Sequence, residues 1–313
     1  VESTFALHGF AVCVDAGTQA TSSRAAAVLL HFGAHPAPAP PGSPLAITLR
    51  VAAPPPVDGP LVATHLDLRV HRGAAATWIV GPASTTRVTP DGSASETWLA
   101  ADDAPLHVLT YVLSNQLRAQ GAWVLHAACL ARPDGSGVLL VGPSGAGKST
   151  LAATLLSRGF ALLSDDSVLL RPPEVLALRR GVFLEPGPAA AHFPEWSGRF
   201  AATPLVEATK HQLDPELLAG RCLERCRAAA LWLPQVADAD ATTIEAVPPS
   251  EALFVLARES RLAELDPAGA PAHLAALGAL AGSVRAARLH LGRDVLRAPD
   301  AVADRLRPLV EAP

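Results

Sequence analysis

The chain of 313 residues has no methionine, one tyrosine, four cysteines and only two lysines. Aromatic residues make up 4% of it although hydrophobic residues make up half. The apolar weight therefore lies in Ala, Leu and Val, a composition that excludes intrinsic disorder. The four cysteines, Cys13, Cys129, Cys222 and Cys226, are too few for a disulfide-built scaffold and fit a reducing cytoplasm. Cys222 and Cys226 stand one helical turn apart, but no second Cys/His pair follows at zinc-finger spacing, so buried thiols are preferred to a zinc site. Long apolar runs are missing too. Mean hydropathy is +0.27, yet Pro, His, Arg or Gly interrupts every apolar stretch before it reaches the length of a membrane span. Val1, Glu2 and Ser3 are not followed by a basic region and an apolar run, so no signal peptide is expected. A net charge of -4 and a pI near 6.3 argue against a general nucleic-acid-binding surface. The expectation is a cytoplasmic protein that binds neither nucleic acid nor membrane.

Of the 25 basic residues, all but Lys148 and Lys210 are arginine. A compositional bias accounts for the scarcity. A lysine that survives it is still informative, because ammonium and guanidinium are not interchangeable at a tight phosphate site.

The first hundred residues read as β-rich. Leu66, Leu68 and Val70 alternate with Asp67, Arg69 and His71, the pattern of a half-buried strand. Short apolar runs at 10–14, 46–51 and 77–80 read the same way, while the Pro-rich stretches 35–44 and 53–60 read as turns or loops. This predicts a small antiparallel sheet domain over residues 1–102. From Asp103 the period changes: Leu106, Leu109, Leu113 and Leu117 fall at helical spacing, with an acidic cap before them and Gly121 after. The second domain, 103–313, is expected to begin here. Residues 123–131 and 137–141 read as a strand pair joined by a turn at Pro133, Asp134 and Gly135. Further on, 179–185, 228–233 and 285–291 read as strands. Helices are expected at 250–258 with Ser250 as cap, at 271–281, and at 300–310.

Gly142, Pro143, Ser144, Gly145, Ala146, Gly147, Lys148 and Ser149, followed by Thr150, fit G-x-x-x-x-G-K-[ST] at every fixed position. A buried apolar strand precedes the motif and an amphipathic helix, 149–158, follows it. The glycines let backbone amides turn toward phosphate oxygens, and the helix N-terminus adds partial positive charge there. Lys148 is placed to neutralise phosphate and Ser149 to ligate Mg2+. The helix stops at Gly159, and a strand at 160–163 ends in Asp165 and Asp166. If it runs parallel to 138–141, both strands finish on the sheet edge where α/β folds bind ligands. One aspartate is then suited to Mg2+ and the other to accepting a proton from a hydroxyl. The competing reading is an Asp pair that merely caps a loop. Likewise His126, a lone histidine between apolar residues, reads on its own as a core side chain.

Leu125-His126, the run from Gly137 to Thr150 and the run from Ser157 to Asp166 resemble the catalytic domain of HPr kinase/phosphorylase. They also resemble its divergent relatives, the HPr-kinase-like serine kinases found beside peptide-modification genes. The resemblance implies an α/β (α+β overall) fold: an HPr-kinase/PEP-carboxykinase-like P-loop core preceded by the small β-rich domain. It implies ATP and Mg2+ as cofactors, with the phosphates on the glycine loop, Lys148 and Ser149. Asp166 becomes the general base, Asp165 supports it or the metal, and His126 lies near the transferred phosphate. A family Glu that completes the metal site has its nearest counterpart in Leu184-Glu185-Pro186-Gly187, which keeps Glu185 but not the surrounding signature. Lys210 corresponds to a downstream basic residue of related kinases and is a candidate phosphate or acceptor-side contact. The segment that separates kinase from phosphorylase activity has no counterpart, and the N-terminal region is not that of the HPr kinases. Neither phosphorylase activity nor HPr as substrate is therefore carried over.

The function so implied is transfer of the γ-phosphate of Mg-ATP to a hydroxyl, with a serine of a peptide or small protein as the acceptor partner. By analogy with these relatives, a homo-oligomer is expected. Two other readings stay open: a nucleotide-binding or ATPase accessory module without acceptor, and a small-metabolite kinase of the same fold, including one that uses pyrophosphate as donor.

Overall fold

Of the alternating stretch, Leu68 to His71 lie in a strand, Leu68–Arg72, and Asp67 lies in a turn. In the strand Leu68–Arg72, Leu68 and Val70 are buried while Arg69 between them is exposed. The computed structural model describes residues 1–38, 44–65, 67–178, 181–185, 193–202, 210–260 and 269–310. It is a mixed α/β structure with several sheets. Its chain divides into two units: residues 1–124 with 269–273, and residues 125–260 with 274–310. The helix expected to open the second domain belongs to the first unit.

In the first unit nine strands form one sheet, in the order His35–Pro36, Glu2–Leu7, Phe10–Ala16, Leu45–Val51, Ala94–Leu99, Ser84–Val88, Thr77–Val80, Leu68–Arg72 and Leu61–His65. The sheet is neither small nor wholly antiparallel. Phe10–Ala16 pairs parallel with Leu45–Val51, which pairs parallel with Ala94–Leu99. A parallel pair requires a crossover, and the helix Gln19–His31 lies between the first two strands in the chain. That helix was not foreseen because its buried face mixes Thr21 and Ser22 with Ala25 and Leu29, which hides the apolar period. Thr18 caps it, accepting from the Thr21 amide at 3.2 Å. Leu66 of the expected strand and residues 39–43 of the expected loop lie outside the described residues.

The second helix begins at Val108, not near Asp103, and its N-cap, His107, makes no side-chain cap bond. The residues before it are otherwise engaged. Arg24 donates to the carbonyls of Asp102, Asp103 and Ala104, and the Asp102 carboxylate accepts from Thr18 and Thr21. In the same unit the His273 ring stacks on Trp123 with centroids 6.1 Å apart. His273 is 1% exposed, and neither of its ring nitrogens has a hydrogen-bond partner among the described residues. Burial pulls its pKa down to about 4, and the Arg118 charge acts in the same direction.

The second unit is built on a sheet with the order Ser167–Arg171, Glu174–Leu178, Arg225–Val236, Ser136–Val141, Ala127–Ala131, Ala161–Ser164; Arg285–Leu291 also lies parallel to Arg225–Val236. The expected strand at 123–131 is broken at His126 into Trp123–Leu125 and Ala127–Ala131. Ser136–Val141 is buried at five of six positions because both faces are covered. Val138 and Leu140 join a core with Leu151 and Leu155. Leu139 and Val141 join a second core with Ala252, Leu256 and Leu277. The hairpin Ser167–Arg171 with Glu174–Leu178 was not foreseen.

The helix Pro249–Glu259 starts one residue before Ser250, so Ser250 is inside the helix and does not cap it. The last expected helix ends at Leu306 and tightens to a 3-10 turn, Arg307–Val310, at Pro308. Pro308 has no amide hydrogen with which to continue the helical bonding. Of the strand expected at 179–185, Phe183–Leu184 is observed and residues 179–180 lie outside the described residues. Cys226 places its sulfur 3.7 Å from that of Cys129, and both thiols are buried and free. Among the described residues no helix is long and apolar enough to cross a membrane.

Candidate active site

The strand Ser136–Val141 delivers the chain to the glycine loop, and the helix Lys148–Leu156 leaves it. Two glycines there adopt left-handed backbone, Gly145 with φ +80 and Gly147 with φ +94. At Gly147 an added Cβ would stand 2.8 Å from Leu291 Cδ1, the far end of a flexible side chain, so it is the left-handed conformation that favours glycine. Lys148, the first helical residue, is only 7% exposed. Its ammonium bends back on the loop and donates to the carbonyls of Gly142 at 2.6 Å and Pro143 at 3.1 Å. Burial lowers its pKa, while the charges of Glu259, Asp166 and Asp165 push back and that of Lys210 adds to the lowering.

Ala127–Ala131 lies between Ser136–Val141 and Ala161–Ser164 and is antiparallel to both. The two outer strands therefore run the same way, and Asp165 and Asp166 follow the second of them. Ser164 fixes this corner. Its hydroxyl donates to the Leu178 carbonyl and accepts from the amides of Asp166 and Ser167 at 3.4 and 3.2 Å. Asp165 is 2% exposed. Its Oδ2 accepts from the Phe183 amide at 3.0 Å, and its buried Oδ1 has no partner among the described residues. Burial pushes its pKa up to about 6, the Asp166 charge adds to this, and the Phe183 amide, the Ser149 hydroxyl and the Lys210 charge oppose it.

Asp166 is more open. Ser167 Oγ donates to its Oδ2 at 2.9 Å, and its Oδ1 lies 3.6 Å from His126 Nδ1. Burial depresses the His126 pKa most strongly, Asp166 raises it and Lys148 lowers it. The break between strands falls at His126, whose side chain is 40% exposed.

A cavity of about 400 Å³ collects most of the residues singled out from sequence: His126, Ser144, Gly145, Gly147, Lys148, Ser149, Thr150, Asp165, Asp166, Glu185 and Lys210 all line it. Glu185 is exposed and Lys210 half-buried there. Gly142, Pro143 and Ala146 do not reach this cavity. They line an adjoining one of about 530 Å³, which shares Ser144, Gly145 and Val236 with the first. Pro186 and Gly187, beside Glu185, lie outside the described residues, as does Thr209 beside Lys210.

No family model matches the chain, and no curated protein is similar to it. Among solved structures, the Hpr(Ser) kinase/phosphatase from Coxiella burnetii is similar at 12% identity, over 59% of this chain and 94% of that one, with a TM-score of 0.28. At that score the likeness establishes neither the fold nor the activity of this chain.

One charged residue escaped the sequence reading. Glu259 ends the helix Pro249–Glu259 and is 3% exposed. Its charge raises the pKa of both Lys148 and His126. In the sequence it stands beside Arg258, with which it pairs at 3.1 Å, and that juxtaposition reads as a solvated helix end.

The oxygen donors fit a hard divalent cation. Asp165 Oδ1 is a buried carboxylate oxygen without a partner among the described residues, and the Ser149 hydroxyl lies beside that carboxylate. Among the described residues no group of three or more His, Cys, Asp or Glu side chains forms a closed metal cage. Mg2+ does not need one, since it is commonly held by one or two protein oxygens plus substrate phosphates and water.

Proposed function

We propose that the chain is a phosphotransferase that moves the terminal phosphoryl group of Mg-ATP to a hydroxyl, with a serine of a peptide or small protein as acceptor. One observation carries this reading: Ser144, Gly145 and Gly147 of the glycine loop, Lys148, Ser149, the two aspartates and His126 line a single cavity. The loop amides and the helix N-terminus bind the phosphates. Lys148 exchanges its carbonyl partners for phosphate oxygens and neutralises charge as the phosphoryl group moves. Ser149 and Asp165 would hold Mg2+, which would supply neutralisation of the phosphate charge. Asp165 is suited to this role because a cation at its Oδ1 would offset the burial that its protein partners offset only in part.

Asp166 is the base. Ser167 fixes its Oδ2, leaving Oδ1 beside His126 to take the acceptor's proton. The acceptor oxygen bonds to the terminal phosphorus, the bond from that phosphorus to the β–γ bridging oxygen breaks, and ADP departs. His126 positions Asp166, and Lys210 and Glu185 contribute a phosphate contact and a metal-side carboxylate from the cavity wall.

Incubation with labelled ATP and serine-bearing peptides, comparing wild type with Asp166→Asn, tests the reading. Transfer is expected in the wild type and to fall by about 10²–10⁴-fold in the variant, with ATP affinity within a few-fold. Label on no acceptor, together with equal ATP hydrolysis by both proteins, overturns it in favour of an ATPase module.

A further inference from the structure

We propose that the cavity adjoining the phosphate site holds the nucleoside half of the donor, with its base against Phe254. The proposal rests on the phosphotransferase reading and extends it, because a phosphate cradle by itself does not distinguish a nucleoside triphosphate from an inorganic polyphosphate. Three observations point to this cavity.

The first is continuity. Ser144, Gly145 and Val236 line both cavities, so a ligand whose phosphates occupy the loop can extend past it into the second space. That space, about 530 Å³, falls within the usual range of small-molecule sites, about 300–1,000 Å³.

The second is its wall. Glu251, Phe254, Val255 and Arg258 line it, and they stand at i, i+3, i+4 and i+7 on the helix Pro249–Glu259, which is one continuous helix face. The opposite wall is the end of the strand Arg225–Val236.

The third is unexplained apolar exposure. Phe254 is 68% exposed and Val236 64%, the two highest values among the exposed large hydrophobic residues described. Both line this one cavity. Exposed apolar side chains gathered on a cleft mark a ligand or partner surface, and an aromatic face beside a guanidinium suits a planar heteroaromatic base. Arg258 supplies that guanidinium, with a side chain 55% exposed beyond its contact with Glu259. Arg288, also in the wall, is engaged by Glu245 and Glu251. It serves to hold the helix in place.

The test measures the affinity of the full-length chain for ATP and for inorganic triphosphate, both with Mg2+, in wild type, Phe254→Ala and Phe254→Trp. The wild type is expected to bind ATP at least about tenfold more tightly than triphosphate. Phe254→Ala should remove that preference without changing triphosphate affinity, and Phe254→Trp should keep it. Thermal melts verify that the alanine variant remains folded. Equal wild-type affinity for the two ligands, or equal loss of both in Phe254→Ala, overturns the nucleoside site and leaves the phosphate site standing. Binding of neither ligand to wild type overturns the phosphate-site reading and the nucleoside site with it.

Discussion

In the first unit the buried polar side chains are mostly neutral, and several of them bond to the protein itself. Thr86 and Thr97 hydroxyls meet at 2.9 Å, and Ser95 and Gln116 both donate to the Ala46 carbonyl. In the second unit the buried polar groups include Lys148, Asp165 and Glu259, three groups that ordinarily carry charge. Asp165 retains an oxygen with no partner among the described residues. Satisfied neutral bonds hold a fold together, whereas a buried ion costs several kcal/mol and persists where something outside the chain will meet it. The difference sets apart the unit in which the active site is proposed. Among the described residues of the first unit, Gln116 Oε1, Trp123 Nε1 and both His273 ring nitrogens are buried without a partner; His273, the titratable exception, avoids the charge cost by staying neutral.

Four variants test that contrast. Lys148→Ala strikes the second unit's charge cluster and is expected to lower phosphoryl transfer about a thousandfold or more while leaving the melting temperature nearly unchanged. Initial rates beside calorimetry decide it; unfolding in step with lost activity would make the lysine structural. In the first unit Leu68→Ala should act on stability alone, at about 3 kcal/mol for a fully buried leucine, read from chemical denaturation.

His273→Phe probes the exception. Its folded pKa, about 4, lies below the unfolded value near 6.5, so the unfolded chain binds the extra proton. The first unit therefore loses stability as pH falls from about 6.5 to 4, and the variant should flatten that slope, by about 2–3 kcal/mol at pH 4. A pH series of denaturation curves with unchanged slope would show that the ring titrates freely. The smallest effect belongs to Thr97→Val. It strands the Thr86 hydroxyl at a cost of about 1–2 kcal/mol, and the double variant Thr86→Val/Thr97→Val should recover most of that loss.

Much of the second unit was legible because its signals are local. The glycine loop, the helix stop at Gly159 and the strand leading into Asp165 each depend on residues a few positions apart. Arg285–Leu291 was readable from its bounds alone. What escaped depends on partners distant in sequence. The helix Gln19–His31 hid behind buried Thr21 and Ser22. The helix start at Val108 moved because Arg24 had already claimed the carbonyls before it. Glu259 looked solvated because its neighbours in the site, Lys148 and His126, lie more than a hundred residues away in the chain. The free oxygen of Asp165 depends on the Phe183 amide taking the other one, and no side-chain pattern records a backbone donor.

The two carbonyls that hold the Lys148 ammonium, those of Gly142 and Pro143, make the loop a competitor for its own ligand. An entering anion does not fill an idle position; it trades places with oxygens already there, so binding is an exchange whose yield depends on how much more negative the newcomer is. Chloride or a single carboxylate gains little from such a trade, whereas adjoining phosphate groups gain at several donors together. On the phosphotransferase reading, the resting loop would then favour dense charge, because only such a ligand compensates the lysine for leaving its carbonyls.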